Sequence, residues 1–452
     1  MAIMEFTKDN YLQKGIVFPK TYQIMKYIDK IRYAEMENEY DANGNGVSNA
    51  FGMLKKRTSF EYYSQILTAQ TDALDYAQLM FPTYKFVMPE ALMDDWLAIM
   101  DPHREGKRDH SLHQPMTAFI VSELLGSGAP DKSLLVNGKY LLDICADFVT
   151  DENNQQTNYL RRYFNELYPS IHTKHLSEPI KHKIACEVFY QTAVISALYH
   201  DIGYPWQFAN GLSKSLFASD YLDRSKIFRS ADEIIERISG RLLYFPFHGY
   251  SESSIKHKTF NWQDRLNKSI VEAFHDTHGF PGALAFTYLT DIVRQYPKEL
   301  TFDEAICQFI IDWAAVGILM HDMPRQCRGD KKNPPKPQFR LNFNIDPLSC
   351  LIAMSDILEE FNRPRSEFKS NSSDVNVGYV FPCVRTNVKV IGGELHITYI
   401  YKSDEEVSSN RKRRMDEVNE YFNDSDKYIN LAPIGINKVV CHVEKIVQSG
   451  NP

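Results

Sequence analysis

The sequence predicts a mainly α protein: a helical bundle carrying a small C-terminal α+β appendage. Three observations lead there. Between about residues 110 and 365, long apolar blocks end at proline or glycine, as helices do. After about 370 the pattern turns to alternation rich in Val, Ile, Thr and Tyr, which suits strands. The chain has 452 residues and is 43% hydrophobic, so it is long enough for a large core.

Residues 1–105 read as an N-terminal helical extension, with a turn at DANGNG (41–46). Residues 106–368 read as the main helical domain. PMTAFIVSELL opens with Pro115, which suits a first helical turn. IACEVFYQTAVISALYHDIG is apolar until it stops near Gly203 and Pro205. PGALAFTYLTDIVRQYP is bounded by prolines, and FDEAICQFIIDWAAVGILMHDMP ends in His-Asp and a proline. DPLSCLIAMSDILEEFNRP begins with a capping Asp346 and Pro347. RGDKKNPPKPQF (328–339) is a basic, proline-rich loop, and about 207–270 reads as an insertion. Residues 369–452 form the α+β region. A hairpin turns at Gly392-Gly393, NRKRRMDEVNEYF is a short charged helix, and INKVVCHVEKIV is a last strand.

Composition narrows the function. The net charge of −7 gives no general pull toward nucleic acid or anionic membranes. No run approaches the ~18 apolar residues of a membrane span, and the first residues lack a signal-peptide pattern. Seven scattered cysteines suggest reduced thiols in a cytoplasm and argue against a thiolate zinc site.

The chemistry starts from His200 and Asp201, adjacent at a helix end. There the backbone leaves its regular path, so neighbouring side chains can converge on one point. A divalent cation is such a point, with imidazole and carboxylate as common ligands at about 2.0–2.2 Å. Further candidates lie beside other apolar helices: His113 with His110 as an alternative, His278, His321 and Asp356. Gly279 and Gly282 after His278 permit a close backbone approach. Each of these residues has an ordinary alternative role. His321 could complement a helix dipole, Asp356 could lie on a polar edge, and His110 or His113 could be a surface residue.

In order, His113, His200-Asp201, His278, His321 and Asp356 resemble the H…HD…H…H…D pattern of the HD-domain superfamily of metal-dependent phosphohydrolases. The flanks RDHSLHQ, ALYHDIGYP, HGFPGALA, AAVGILMHD and PLSCLIAMSDILEEFNRP resemble the surroundings of that family's ligands, over about residues 107–365. The long stretch between Asp201 and His278 departs from a compact bundle. The resemblance implies an HD-domain bundle holding one or two divalent ions (Mn, Fe, Mg or Zn). It implies phosphohydrolase or phosphodiesterase activity on a nucleotide or nucleotide-like phosphoester. His200 and Asp201 would be catalytic, and Asp201 and Asp356 candidates to bridge two ions. Arg108, Lys181, Lys183 and Arg363 or Arg365 are candidates to bind the substrate's phosphate. Many such bundles pair, so a homodimer is a further expectation. The alternative from another class is a nucleotide-binding sensor without turnover, with SSNRKRRMDEVNEYF as docking helix or as an ordinary exposed face.

Overall fold

The computed structural model describes residues 3–7, 9–10, 110–150, 178–201, 203, 278–279, 282–283, 286, 302–322, 341–361, 366–369, 377–380, 382–424 and 427–447. The insertion at 207–270, the basic loop at 328–339 and nearly all of the N-terminal extension lie outside these residues.

Four helices carry the centre of the bundle: α1 (His110–Leu124), α3 (Glu178–Tyr199), α4 (Phe302–Met320) and α5 (Pro347–Leu358). A shorter α2 (Leu141–Thr150) packs on α3. α1 begins at His110, so Pro115 falls in its second turn rather than its first. At that position one i→i−4 hydrogen bond is forgone, and α1 is held by its packing on α3 and α5. α5 is capped as the sequence predicts. The Asp346 carboxylate accepts from the Ser349 N–H at 3.0 Å, and Pro347 follows.

The helices are buried almost all round, because each is covered by neighbours on several sides. α3 touches α1, α2, α4 and α5. Phe189 of α3 meets Trp313 of α4 edge-on at 5.6 Å, and Ser196 donates to the Ala314 carbonyl at 3.2 Å. A Cβ on Gly317 would sit 2.8 Å from Ser196 Oγ, so glycine sets the spacing of α3 and α4.

The expected mainly α class is overturned. The described residues are 57% helix and 21% strand, so α+β describes them. Three short pairs stand apart from the main sheet: β2 (Leu135–Val136) with β3 (Lys139–Tyr140), β4 (Leu341–Asn342) with β9 (Ile429–Asn430), and β5 (Ser366–Lys369) with β6 (Val377–Val380). Strands β7 (Arg385–Ile391) and β8 (Glu394–Tyr401) form the hairpin about Gly392-Gly393. β10 (Lys438–Lys445) adds parallel to β8, joined through helix α6 (Asp404–Val418). β1 (Met4–Phe6) pairs antiparallel with β7 on the other edge, giving a mixed sheet in the order β1-β7-β8-β10. Residues 4–6 are therefore a strand, where the sequence pattern suggested helix.

The physical reason is burial. The inward residues of β7 and β8, Val388, Val390, Leu395, Ile397, Tyr399 and Tyr401, join one apolar core with the helices. The sheet is a second wall of that core rather than an appendage to it. Tyr399 Oη donates to the Ile357 carbonyl at 3.0 Å and Thr386 Oγ1 to that of Leu358 at 3.3 Å. Both contacts satisfy carbonyls at the C-terminal end of α5, where a helix has none of its own partners. α6 keeps Asp404, Glu405, Arg411, Lys412 and Asp416 exposed on one face and buries Asn410 and Arg414 on the other.

Candidate metal centre

α3 and α4 both end in a His-Asp dipeptide, and both use the same device there. His200 Nδ1 lies 2.7 Å from the Ala197 carbonyl, and His321 Nδ1 lies 2.7 Å from the Ile318 carbonyl. A carbonyl oxygen only accepts, so each Nδ1 carries a proton, and in the neutral form of each ring Nε2 is the acceptor. In α1, His113 Nδ1 faces Glu359 Oε2 at 2.5 Å, which fixes the same tautomer. His278 Nδ1 lies 3.3 Å from Asp322 Oδ2.

The four Nε2 atoms then converge. His113 Nε2 and His200 Nε2 are 3.2 Å apart, as are His278 Nε2 and His321 Nε2. When both rings are neutral and protonated on Nδ1, the His113–His200 contact sets lone pair against lone pair. Two acceptors gain nothing from facing each other, but a cation between them takes both.

Two carboxylates close the cluster. Asp356 Oδ1 lies 3.0 Å from His113 Nε2 and 3.9 Å from His200 Nε2. Asp201 sits between the histidine pairs. Its Oδ1 is 3.1 Å from His278 Nε2 and 3.3 Å from His200 Nε2, and its Oδ2 is 3.5 Å from His113 Nε2. Donors held about 2.1 Å from a cation stand about 3.0 Å apart at right angles and about 3.4 Å apart at a tetrahedral angle. Most of the spacings fall in that band, so the residues fit a divalent ion. Two overlapping sets carry the fit: His113, His200 and Asp356, and His200, Asp201 and His321.

The cluster is dry on one side and open on the other. His113 and His200 are wholly buried, while the Asp356 side chain keeps 13% of its surface exposed. Burial, with His200 and His278 close by, holds the His321 imidazole well below its ordinary range despite Asp201 nearby. In the neutral ring Nε2 is an acceptor, and it faces His278 Nε2 at 3.2 Å. The glycines matter for convergence: a Cβ on Gly203 would lie 1.9 Å from the His278 carbonyl oxygen. Only glycine lets the turn after Asp201 press against the His278 turn.

All six expected ligands thus come together from α1, from the ends of α3 and α4, from the turn at 278 and from α5. His110 opens α1, but its side chain, like that of Lys181, lies outside the described residues, as do Arg108, Arg363 and Arg365. Lys183 is exposed on the second turn of α3. That is about 25 Å of helix from His200, too far to serve the same phosphate.

The sequence reading missed Glu359, which orients His113, and Asp322, which orients His278. Glu359 was findable: it follows Asp356 by three positions, on the same helical face. The Ala197 and Ile318 carbonyls leave no trace in sequence. Glu360, next to Glu359, is fully buried and faces the other way, toward Arg413 at 2.8 Å and Arg414 at 3.0 Å.

No family model, curated protein or solved structure matches the chain. Among the described residues, no helix is long and apolar enough to cross a membrane.

Proposed function

We propose that the chain is a metal-dependent phosphohydrolase of the HD type, acting on a nucleotide or nucleotide-like phosphoester. One observation carries the metal part: buried imidazoles whose outward nitrogens are anchored to carbonyls or a carboxylate, with their inward nitrogens facing each other and two aspartates. The reaction and the substrate class rest on the resemblance in residues 107–365.

Divalent ions bound there supply Lewis acidity toward a phosphoryl oxygen and acidify water. The chain's own part is positional. His113, His200 and Asp356 make one donor set; His278 and His321 make the other; Asp201 reaches both. Glu359 and the two carbonyls keep the rings from rotating, so little reorganisation is needed when charge develops. The partly exposed Asp356 marks the side from which substrate approaches.

The test is hydrolysis of bis-p-nitrophenyl phosphate, then of a nucleotide panel, by purified protein with added Mn²⁺. Turnover lost in His200→Ala and Asp201→Ala supports the reading. Tight metal binding with no turnover on any phosphoester overturns it. That second outcome favours a sensor, a reading that the direct grip of the C-terminal sheet on α5 also supports.

A further inference from the structure

A second group of metal-ligating side chains lies at the far end of α3. His182 and Cys186 are four residues apart on that helix and share a face. Asp143, from the first turn of α2, meets them. Asp143 Oδ1 is 2.9 Å from His182 Nε2, and Cys186 Sγ is 3.5 Å from the same nitrogen. All three ligand atoms lie within 4.8 Å of one another. Cys186 is fourteen residues from His200, about 21 Å along the helix, so this group is separate from the first centre.

We propose that Asp143, His182 and Cys186 form a second metal site, selective for a zinc-class ion and completed by water. The triangle suits tetrahedral ligation. With bonds of about 2.0–2.3 Å, neighbouring donors stand about 3.3–3.7 Å apart, so the Asp–His edge need open by only a few tenths of an ångström. Access suits it too: the His182 and Asp143 side chains are 43% and 36% exposed, while Cys186 is buried beneath them. An ion can enter from solvent and keep a water.

The surrounding charge also favours a cation. Burial first, and then Asp143, Asp147 and Glu187, push the Cys186 thiol up to about 12, a cost that an ion taking the sulfur must meet. Left alone, the sulfur stays protonated. A zinc-class ion takes the sulfur as thiolate and releases that proton to solvent. Thiolate is a soft ligand, so this site discriminates against the hard ions that oxygen ligands suit. An ion there ties α2 to α3. The inference is independent of the phosphohydrolase reading. It also reverses the expectation that the scattered cysteines hold no thiolate zinc site.

The probe is Co²⁺ titrated into the full chain under reducing conditions, followed by absorption. The expected result is a saturable near-ultraviolet sulfur-to-cobalt band that is bleached by Zn²⁺. It disappears in Cys186→Ser and His182→Ala and survives in Asp201→Ala. Asp143→Asn, at a half-exposed position, keeps the band but weakens binding by about tenfold or more. It decides the matter should Cys186→Ser not fold. A wild-type chain without the band, or a band that persists in Cys186→Ser, overturns the site and leaves an ordinary aspartate–histidine pair. An Asp143→Asn chain that binds as tightly as wild type does the same.

Discussion

Two buried polar clusters sit back to back across the Glu359–Glu360 dipeptide, and they are built from opposite chemistry. On the Glu359 side are four imidazoles and two aspartates whose donor atoms face each other. On the Glu360 side the chain supplies its own cations. Arg414, fully buried on α6, pairs with Glu360 and Glu417 and lies over the Tyr399 ring, its carbon 5.3 Å from the centroid. Burial is the largest single influence on the Arg414 guanidinium and lowers it, but Glu360, Glu417, Tyr399 and Tyr401 together outweigh burial and hold the group above its high ordinary range. Buried charge of the second kind is paired within the chain, with Arg414 Nε left without a hydrogen-bond partner among the described residues. The first kind presents donor atoms that could hold an ion from outside. The difference teaches how a chain that pairs its own buried charges differs from one that leaves donors facing each other.

The largest expected effect breaks the structural side. Arg414→Met removes the buried one of Glu360's two arginines and should cost about 3–5 kcal/mol in urea unfolding, as truncation of a buried ion pair does. A neutral result would place this cluster at the surface of the energetics and undo the comparison.

The next effect concerns a buried carboxylate belonging to neither cluster. Burial raises Asp346 to about 6, partly offset by its bond from Ser349, and its Oδ2 has no partner among the described residues. A folded pKa above the unfolded one favours folding at low pH. That contribution is lost as pH rises from about 4 through about 6, leaving a cost of about 2–3 kcal/mol at neutral pH. Asn caps a helix as well as Asp. Asp346→Asn should therefore unfold at higher denaturant than wild type at pH 7.5 and match it near pH 4. Equal midpoints at both pH values would mean the carboxylate is better solvated than its burial indicates.

On the metal side, Glu359→Gln keeps the shape but weakens the anchor on His113. Divalent-metal affinity should fall about 10–100-fold by isothermal titration, with little change in the unfolding midpoint of the metal-free chain. The smallest effect is Tyr399→Phe, which frees one carbonyl of α5 and should cost about 1 kcal/mol.

Much of the candidate site was legible because its residues interrupt apolar runs. His200, His321 and Asp356 are polar groups at positions where the pattern demands burial, and a buried polar group needs a partner. The capped start of α5 and the Gly392-Gly393 hairpin were legible for local reasons. The class of the fold was not. β1 reaches the sheet by pairing with β7, some 380 positions later, and β10 reaches β8 across a helix. Such pairings are set by burial between distant segments, which local pattern does not encode. Arg414 misleads for the same reason: in sequence it belongs to a charged helix, and its partner Glu360 lies on another element. Lys183 was placed beside the phosphate because it shares a helix with His200, but helix length separates them.

The most direct measurement of the central claim is Mn²⁺ bound per chain, by equilibrium dialysis and elemental analysis, for wild type and Asp201→Ala. Manganese, a hard ion, reports on the imidazole–carboxylate centre rather than on a thiolate site. At least one tightly held ion per wild-type chain, lost in Asp201→Ala, is the predicted result. A wild-type chain that retains no more Mn²⁺ than the variant would contradict it.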